Sequence, residues 1–275
     1  MRWIFVPLLV IGACGTGGGP SRPEILLATT TSTQDSGLLD VLIPDFEKRT
    51  DYRVKTTAVG TGAALAIGSR GDADVLLVHA PSAEKPFMAA GHGTRRLLVM
   101  HNDFILVGPP NDPSGVRGMR IQDALRKIAS DGTAFISRGD GSGTHILERA
   151  LWKQAALEPS GDWYVEAATG MGQTLTIASE KHAYTIADRG TYLARRSALE
   201  LAVLVEKDPP LINIYHVVTV NGEKFPRVNS EGAAALAEYL VSPDAQETIG
   251  RFGVEKFGEP LFFPDAGKRE EDLTG

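Results

Sequence analysis

Three stretches rich in threonine, serine and glycine stand out in this sequence as places where an anion could bind. They read ATTTS at 28–32, VGTGAA at 59–64 and SRGDGSGTH at 137–145. Each is predicted to follow a strand and precede a helix, where backbone N–H groups and the helix dipole favour negative charge. Hydroxyl groups add uncharged donors, and Arg138 adds one cation with a planar donor fork. These features predict an anion-binding site without catalytic chemistry.

The simplest alternative for each stretch is structural. A serine or threonine before a helix usually serves as an N-cap and nothing more. Three such loops at the ends of strands are harder to explain as caps alone, because ligands of open α/β sheets bind beyond the carboxyl ends of the strands. Taken together, the loops favour a binding site over three independent caps.

Strands and helices alternate along the chain in the order expected of an α/β protein. Strands are predicted at 24–28, 52–59, 75–78, 97–108, 134–137, 163–167, 183–187 and 211–220, and helices at 38–49, 63–69, 82–90, 121–129, 144–156, 172–179, 230–240 and 243–252. Residues 29–37 read as a polar loop, and Pro44 is expected to kink or split the first helix. Repeated βα units favour mostly parallel sheets flanked by helices.

Two long apolar strands, near 104–108 and 215–220, have the character of crossovers between two sheets. They predict two lobes, one formed by 24–105 with 215–275 and the other by 106–214. The 275 residues are enough for two modest lobes of this kind.

The overall charge limits the classes of ligand. The formal net charge is −6, and charged residues make up 23% of the chain. A nucleic-acid-binding protein would show a basic excess, and this chain has none. Long-range attraction therefore cannot capture an anion here, so local dipoles and Arg138 must do so.

The N-terminus predicts export and a lipid anchor. Arg2 precedes an apolar run at 3–11, which is too short to span a bilayer and is typical of a secretory signal. The string IGAC at 11–14 resembles a bacterial lipobox, in which the cysteine is lipidated. We expect a signal peptide at 1–13, lipidation of Cys14 and a flexible glycine-rich tether at 14–23. The protein would then be periplasmic or at the cell surface, held to the membrane by its lipid.

Several other chemistries are disfavoured by spacing. The GTGAAL string at 60–65 lacks the third glycine of a dinucleotide fingerprint, and no Lys-Ser/Thr pair follows the glycines after Arg138. Six scattered histidines and one cysteine give no metal-ligand spacing. A secreted serine hydrolase that uses Ser142 with His145 stays open as a less favoured alternative, although the G-x-S-x-G spacing is absent.

At five places the sequence resembles the tungstate-binding subunit of tungstate ABC importers, a family of type II periplasmic solute-binding proteins. They are ATTTSTQDSGLL at 28–39, GTGAAL at 60–65, GDADVLLVHAP at 71–81, the loop at 137–145 and TIADRGTY at 185–192. Asp51 departs from the glycine usual after the first helix, and Gly141 replaces a more usual acidic or polar residue. Neither position is a proposed ligand.

The resemblance implies two lobes that close on a dehydrated oxyanion, tungstate or molybdate, without a cofactor or a catalytic step. It also implies a membrane permease as partner and a monomeric protein. The implied ligands are Thr29, Thr30, Thr31, Ser32, Thr61, Gly62, Ala63, Arg138, Ser142, Gly143 and Thr144. His79, Thr169, Met171 and Gly172 are further candidates, and Asp140 is expected to orient Arg138.

Phosphate- or sulfate-binding proteins of the same fold remain the main alternative. The loop at 137–145 resembles that of phosphate carriers, which hold the proton of monohydrogen phosphate with an aspartate before an Ala-Pro pair. Here His79 precedes Ala80 and Pro81. A side chain that can donate replaces an acceptor-only carboxylate, which favours a fully deprotonated dianion.

Overall fold

The computed structural model of the chain describes residues 22–274. The expected signal peptide, Cys14 and almost all of the expected tether lie outside the described residues. Within 22–274, no helix is long and apolar enough to cross a membrane.

The first part of the chain alternates strands and helices up to one long strand. Its elements are β1 (Glu24–Thr30), α1 (Thr31–Asp35), α2 (Leu39–Arg49), β2 (Arg53–Val59), α3 (Thr61–Ser69), β3 (Val75–Val78), α4 (Pro81–Ala89) and β4 (Gly93–Gly108). Pro44 lies inside α2 but does not split it. The residues expected to form a polar loop after β1 contain the short helix α1, which Thr30 caps by accepting from the Thr33 N–H.

The middle and the end of the chain continue the alternation. The middle contains α5 (Ile121–Asp131), β5 (Phe135–Ser137), α6 (Gly143–Gln154), β6 (Tyr164–Glu166), α7 (Met171–Glu180), β7 (Thr185–Asp188), α8 (Arg189–Arg195) and β8 (Ala202–Val205). The end contains β9 (Ile212–Val220), α9 (Ser230–Leu240), α10 (Pro243–Arg251), α11 (Val254–Phe257), β10 (Phe263–Pro264) and α12 (Glu270–Thr274).

One strand is shared by two groups of strands. The main sheet has the order β10-β4-β9-β3-β1-β2, with β1 parallel to β2 and β3 and with β9 antiparallel to β3 and β4. Asp103 is still paired with Ile212 of β9, whereas Phe104 is paired with Asp188 of β7. Beyond that point β4 runs antiparallel to β7 and β8. The partner of β4 thus changes within one residue.

We use lobe I for the elements around β1, β2, β3 and β9, and lobe II for the elements around β5 to β8. One buried apolar cluster consists entirely of residues between Phe104 and Leu211 and forms the core of lobe II. A second lies in lobe I around Leu76 and Val218, and the largest includes buried residues of both lobes. The α/β two-lobed fold class is confirmed. The lobe bounds drawn from the sequence stay a prediction, and the pairing change at Asp103 and Phe104 lies next to the first of them.

Candidate functional site

A cavity of about 1600 Å³ lies between the lobes, and loops from both line it. Most of the residues singled out from the sequence meet there. Those that line the cavity are Thr30, Thr31, Ser32, Thr61, Gly62, Ala63, His79, Arg138, Ser142, Gly143, Thr144, Met171 and Gly172. Positions up to 142 residues apart in the chain, Thr30 and Gly172, are therefore brought to one cleft.

Thr29 and Thr169 do not line the cavity. The Thr29 side chain is fully buried in β1, and its hydroxyl donates to the Leu77 carbonyl at 2.8 Å. Because β1 continues to Thr30, where the sequence analysis ended it at Ala28, Thr29 lies inside the sheet. The Thr169 N–H donates to the Arg138 carbonyl at 3.3 Å, so this residue supports the loop from behind.

Helices α1, α3, α6 and α7 are among those that begin at the cavity. The residues before α3 and α7 are Gly60 and Gly170, and neither helix has a side-chain cap. A helix start without a cap leaves first-turn N–H groups free for a ligand, at the positive end of the helix dipole. Gly60 and Gly170 have no side chain that could accept from these N–H groups. They therefore leave the N–H groups available to an anion, a role that the sequence analysis did not assign to them.

A group of hydroxyls lies on the lobe I wall of the cavity. The Thr30 Oγ1 lies 2.7 Å from the Thr33 Oγ1 and 3.1 Å from the Ser32 Oγ. The His79 Nε2 lies 3.1 Å from the same Thr30 oxygen and 3.4 Å from the Ser32 Oγ. This group of side chains offers hydroxyl donors and contains no lysine or arginine.

His79 is held from behind by Asn213 on β9. Its Nδ1 lies 2.9 Å from the Asn213 Oδ1, and its ring packs against Tyr215 with the centroids 4.7 Å apart. Burial lowers the pKa of His79, although the hydrogen bond with Asn213 and the charge of Glu84 act in the opposite direction. The imidazole is therefore neutral near pH 7.

Arg138 stands on the lobe II wall beside one carboxylate. Its Nε donates to the Asp140 Oδ2 at 2.8 Å, and its Nη1 donates to the Thr144 Oγ1 at 3.4 Å. The Arg138 side chain is 21% exposed, so part of its donor fork is available to a ligand. Asp140 orients the guanidinium, as expected from the sequence.

The conformation of the loop that carries Arg138 is fixed by hydrogen bonds to Asp140 and by the close packing of Gly139. Burial alone would raise the pKa of Asp140, but hydrogen bonds from Ser142 and the charge of Arg138 outweigh that and lower it. Gly139 has φ +64°, and a Cβ there would lie 2.8 Å from the Glu166 Cβ, so a larger residue does not fit. Asp140 also accepts the Ser142 N–H at 3.0 Å. The loop therefore presents its arginine in a defined position.

The hydrolase alternative lacks the required geometry. A nucleophilic serine needs a base within hydrogen-bond reach, and that base needs an orienting group. The Ser142 Oγ instead accepts the His145 N–H as an N-cap of α6, and the His145 Nδ1 accepts the Gly141 N–H at 3.0 Å. The nearby Glu148 accepts from Ser137, Trp152 and Tyr164. Ser142 thus caps a helix, and within residues 22–274 no base is bonded to its hydroxyl.

Asn102 and Asn213 were not found by sequence analysis. They face each other on β4 and β9, and the Asn213 Nδ2 donates to the Asn102 Oδ1 at 2.8 Å. Both line the cavity. The feature of the sequence that could have revealed Asn213 is a polar residue within the strongly apolar run 211–220.

Among residues 22–274, no group of three His, Cys, Asp or Glu could hold a metal ion.

Comparison with known proteins gives a consistent result. A family model described as a PBP superfamily domain matches residues 16–244. The tungstate-binding protein TupA of Peptoclostridium acidaminophilum is 53% identical over 251 residues, which is 90% of this chain and 88% of that protein.

Two solved structures are also similar. The tungstate-binding protein TupA from Desulfovibrio alaskensis G20 superimposes with a TM-score of 0.83 at 46% identity, covering 89% of this chain and 99% of that one. A structure described as the tungstate ABC transporter from Geobacter sulfurreducens gives a TM-score of 0.71 at 47% identity, covering 83% and 98%.

Proposed function

This chain belongs to the family of tungstate-binding proteins within the PBP superfamily, and on that premise we propose that it captures tungstate in the cleft between its lobes. It is a solute-binding protein of an ABC transporter and acts by binding, without catalysis. Molybdate, a tetrahedral dianion of the same chemistry, is the second ligand we expect it to accept.

The observation that carries this proposal is the meeting of the N-termini of α1, α3, α6 and α7 with Arg138 in one cleft. N–H groups, hydroxyls and one guanidinium are all donors, and a fully deprotonated oxyanion is all acceptor. The metal atom of the ligand is enclosed by its own oxygens, so the protein contacts oxygens alone. Donors fixed before binding lose little entropy when the ligand arrives.

Capture requires the lobes to approach each other. One water occupies about 30 Å³ in the liquid, so a cavity of about 1600 Å³ holds far more than one tetrahedral oxyanion. Closure would bring the hydroxyls of lobe I and the guanidinium of lobe II onto the same ligand. Expelling water would strengthen each of these contacts, because electrostatic attraction grows as the local dielectric constant falls.

His79 favours tungstate over phosphate. Monohydrogen phosphate carries a proton that needs an acceptor in the site, and the neutral imidazole of His79 offers one uncharged acceptor, already facing Thr30 and Ser32, where a carboxylate offers two charged oxygens. Sulfate has no proton, but it is smaller than tungstate and would leave some of the donors unpaired. An unpaired buried donor costs about 1–3 kcal/mol.

The direct test is a calorimetric titration of the purified protein with tungstate, molybdate, sulfate and phosphate. We expect tungstate to bind far more tightly than phosphate and sulfate. A phosphate affinity within about tenfold of the tungstate affinity, or about 1.4 kcal/mol, would make this protein a phosphate carrier. His79→Asp should weaken tungstate binding, because it places a like charge near the dianion.

The solute-binding proteins of ABC importers are extracytoplasmic, and delivery to a membrane permease follows from that role. We further propose that Cys14 carries a lipid that tethers a monomer to the membrane. The support is the IGAC string and the glycine-rich stretch that follows it. Cys14→Ser should release the protein from washed membranes, and retention after a high-salt wash would contradict the anchor.

A further inference from the structure

A chain of hydrogen bonds leads from the strand crossover to the hydroxyls of the cleft. The Asn213 amide nitrogen donates to the Asn102 Oδ1 at 2.8 Å and to the Tyr215 hydroxyl at 3.1 Å. Both amide hydrogens are thus used, and the Asn213 Oδ1 is left to accept. Its partner is the His79 Nδ1 at 2.9 Å, so the proton of the neutral imidazole lies on Nδ1.

This assignment decides what the other ring nitrogen does. With the proton on Nδ1, the Nε2 of neutral His79 can only accept, and the groups facing it are the hydroxyls of Thr30 and Ser32. Each hydroxyl has a single hydrogen to donate. In the ligand-free protein, one of the two gives that hydrogen to Nε2, while the Thr33 hydroxyl, 2.7 Å from the Thr30 Oγ1, can donate to Thr30. The hydrogen given to Nε2 is then lost to a ligand.

An oxyanion changes this balance because it accepts from every donor around it. If both hydroxyls turn toward the ligand, they present lone pairs to the lone pair of Nε2. A proton on Nε2 removes the conflict, because the ring then donates to a hydroxyl oxygen while that hydroxyl donates to the ligand. The proton comes from solvent, and Nδ1–H stays on Asn213.

We propose that Asn213 is a positioning residue that holds His79 ready to take up one proton as the oxyanion is captured. The inference rests on the proposed function and extends it, since the site would bind a dianion together with a proton. The doubly charged ligand would then be met by two cations, His79 and Arg138, one from each lobe.

The surroundings of His79 fit a group that is neutral when the cleft is empty. Burial lowers its pKa, Glu84 of α4 acts to raise it, and Tyr215 of β9 covers the ring. On the lobe II side Gly143 lies close, since a Cβ there would be 3.8 Å from the His79 Cε1. That position is the positive end of α6, which also disfavours a charged ring, and Arg138 lines the same cleft. A bound dianion would outweigh these effects.

The test is calorimetric titration of the full protein with tungstate in buffers of different ionisation enthalpy, between about pH 6 and pH 8. The wild-type protein should take up close to one proton per tungstate in the middle of this range. Its affinity should rise as the pH falls, by at most tenfold per pH unit, between the pKa of His79 in the complex and the lower pKa in the free protein.

Two variants separate positioning from simple support of the fold. His79→Gln keeps an amide donor near the Nε2 position but does not titrate, so it should bind tungstate with no proton uptake. Asn213→Leu removes the acceptor for Nδ1–H and lets the neutral ring carry its proton on Nε2. It should also bind with much less proton uptake, and thermal unfolding shows whether each variant is folded.

The outcomes are distinct. Absence of tungstate binding by the wild type would refute the proposed function itself. Tight binding without proton uptake, or uptake that persists unchanged in a folded His79→Gln variant, would refute this inference alone. If that variant does not fold, the ¹⁵N chemical shifts of the His79 ring in the wild-type protein decide instead. A ring that stays neutral and protonated on Nδ1 in the complex would overturn the inference.

Discussion

Arg138 and Arg189 each donate to an aspartate, yet their surroundings assign them opposite roles. Arg138 has one carboxylate partner, Asp140, and its side chain is 21% exposed to the cleft. Arg189 is 8% exposed and is surrounded by three carboxylates, those of Asp103, Glu206 and Glu259. An arginine with unused donors in a cleft can bind an anion, whereas a buried arginine whose three nitrogens all face carboxylates holds the fold.

The partners of Arg189 come from three separate parts of the chain. Its Nε and Nη2 bind both oxygens of Asp103, at 2.7 and 2.6 Å, at the residue where β4 is about to leave β9. Nη2 also donates to Glu206 at 2.6 Å, and Nη1 donates to Glu259 at 3.4 Å. Burial alone would lower the pKa of Arg189, but Asp103 and Glu206 outweigh that and raise it. The guanidinium therefore ties the crossover to both lobes.

The largest effect we expect is on stability, from Arg189→Ala. Removing one partner of a buried charge network leaves uncompensated charge, and it should lower the free energy of unfolding by about 3–5 kcal/mol. Denaturant unfolding measures this. Arg251→Ala is a matched control, because that side chain is 80% exposed and pairs with Glu247 alone, so it should cost less than about 1 kcal/mol. Equal losses in the two variants would contradict the structural role of Arg189.

Arg138→Ala should show the reverse pattern. It should weaken tungstate binding at least about a hundredfold, or about 2.7 kcal/mol, because few other cations can replace it in an acidic protein. The empty protein should unfold near the wild-type temperature, while the increase in Tm caused by tungstate shrinks. If affinity stays near that of the wild type, the loop at 137–145 is only a helix cap and the binding site lies elsewhere.

Arg138→Lys sharpens the comparison by separating charge from shape. Lysine keeps the positive charge but loses the planar fork through which Nε reaches Asp140 while Nη1 reaches Thr144. We expect an intermediate loss of about tenfold in affinity, or about 1.4 kcal/mol. Titration of the three proteins under one buffer condition checks the order. A lysine variant as weak as the alanine variant would mean that geometry, not charge, dominates.

Thr30 and Thr29 show the same contrast between a side chain that faces the cleft and one that is buried in the fold, with smaller expected effects. Thr30→Val should weaken binding about fivefold, or about 1 kcal/mol, because its hydroxyl faces Ser32 and His79 in the cleft. Thr29→Val should leave affinity unchanged and cost about 1 kcal/mol of stability, since its hydroxyl is bonded to the Leu77 carbonyl. An affinity loss from Thr29→Val that matches the loss from Thr30→Val would contradict this placement.

Local patterns predicted most of the elements and the loops of the site. Alternating strands and helices, and three glycine- and hydroxyl-rich turns, were visible because they depend on neighbours in the chain. Thr29 does not reach the cavity because β1 runs two residues further than the strand predicted from the sequence, and the Thr29 side chain is buried with its hydroxyl bonded to the Leu77 carbonyl. The pairing of His79 with Asn213 joins residues 134 apart, which no local pattern predicts.

The Arg189 cluster was equally hidden from the sequence. Its carboxylates lie 86, 17 and 70 residues from the arginine, and each occupies an unremarkable position in its own segment. The short strand β10, which lies beside β4, and the short helices α11 and α12 were also missed, because elements of two to five residues carry too little periodicity.

The sharing of β4 between two sheets also bears on the order in which the protein folds. The pairs of β1 with β2 and β3 form within residues 24–77, and those of β4 with β7 and β8 within 104–205. The pair of β3 with β9 joins residues much further apart, as in the pairing of Val75 with Thr219. Contacts between distant residues form slowly, because a long loop must close first. We therefore expect β1 with β2, and β4 with β7, to gain protection from hydrogen exchange during refolding before the pair of β3 with β9 does. A chain that emerges N-terminus first could not complete the main sheet until β9, near its end, had appeared, a delay that suits export in an unfolded state.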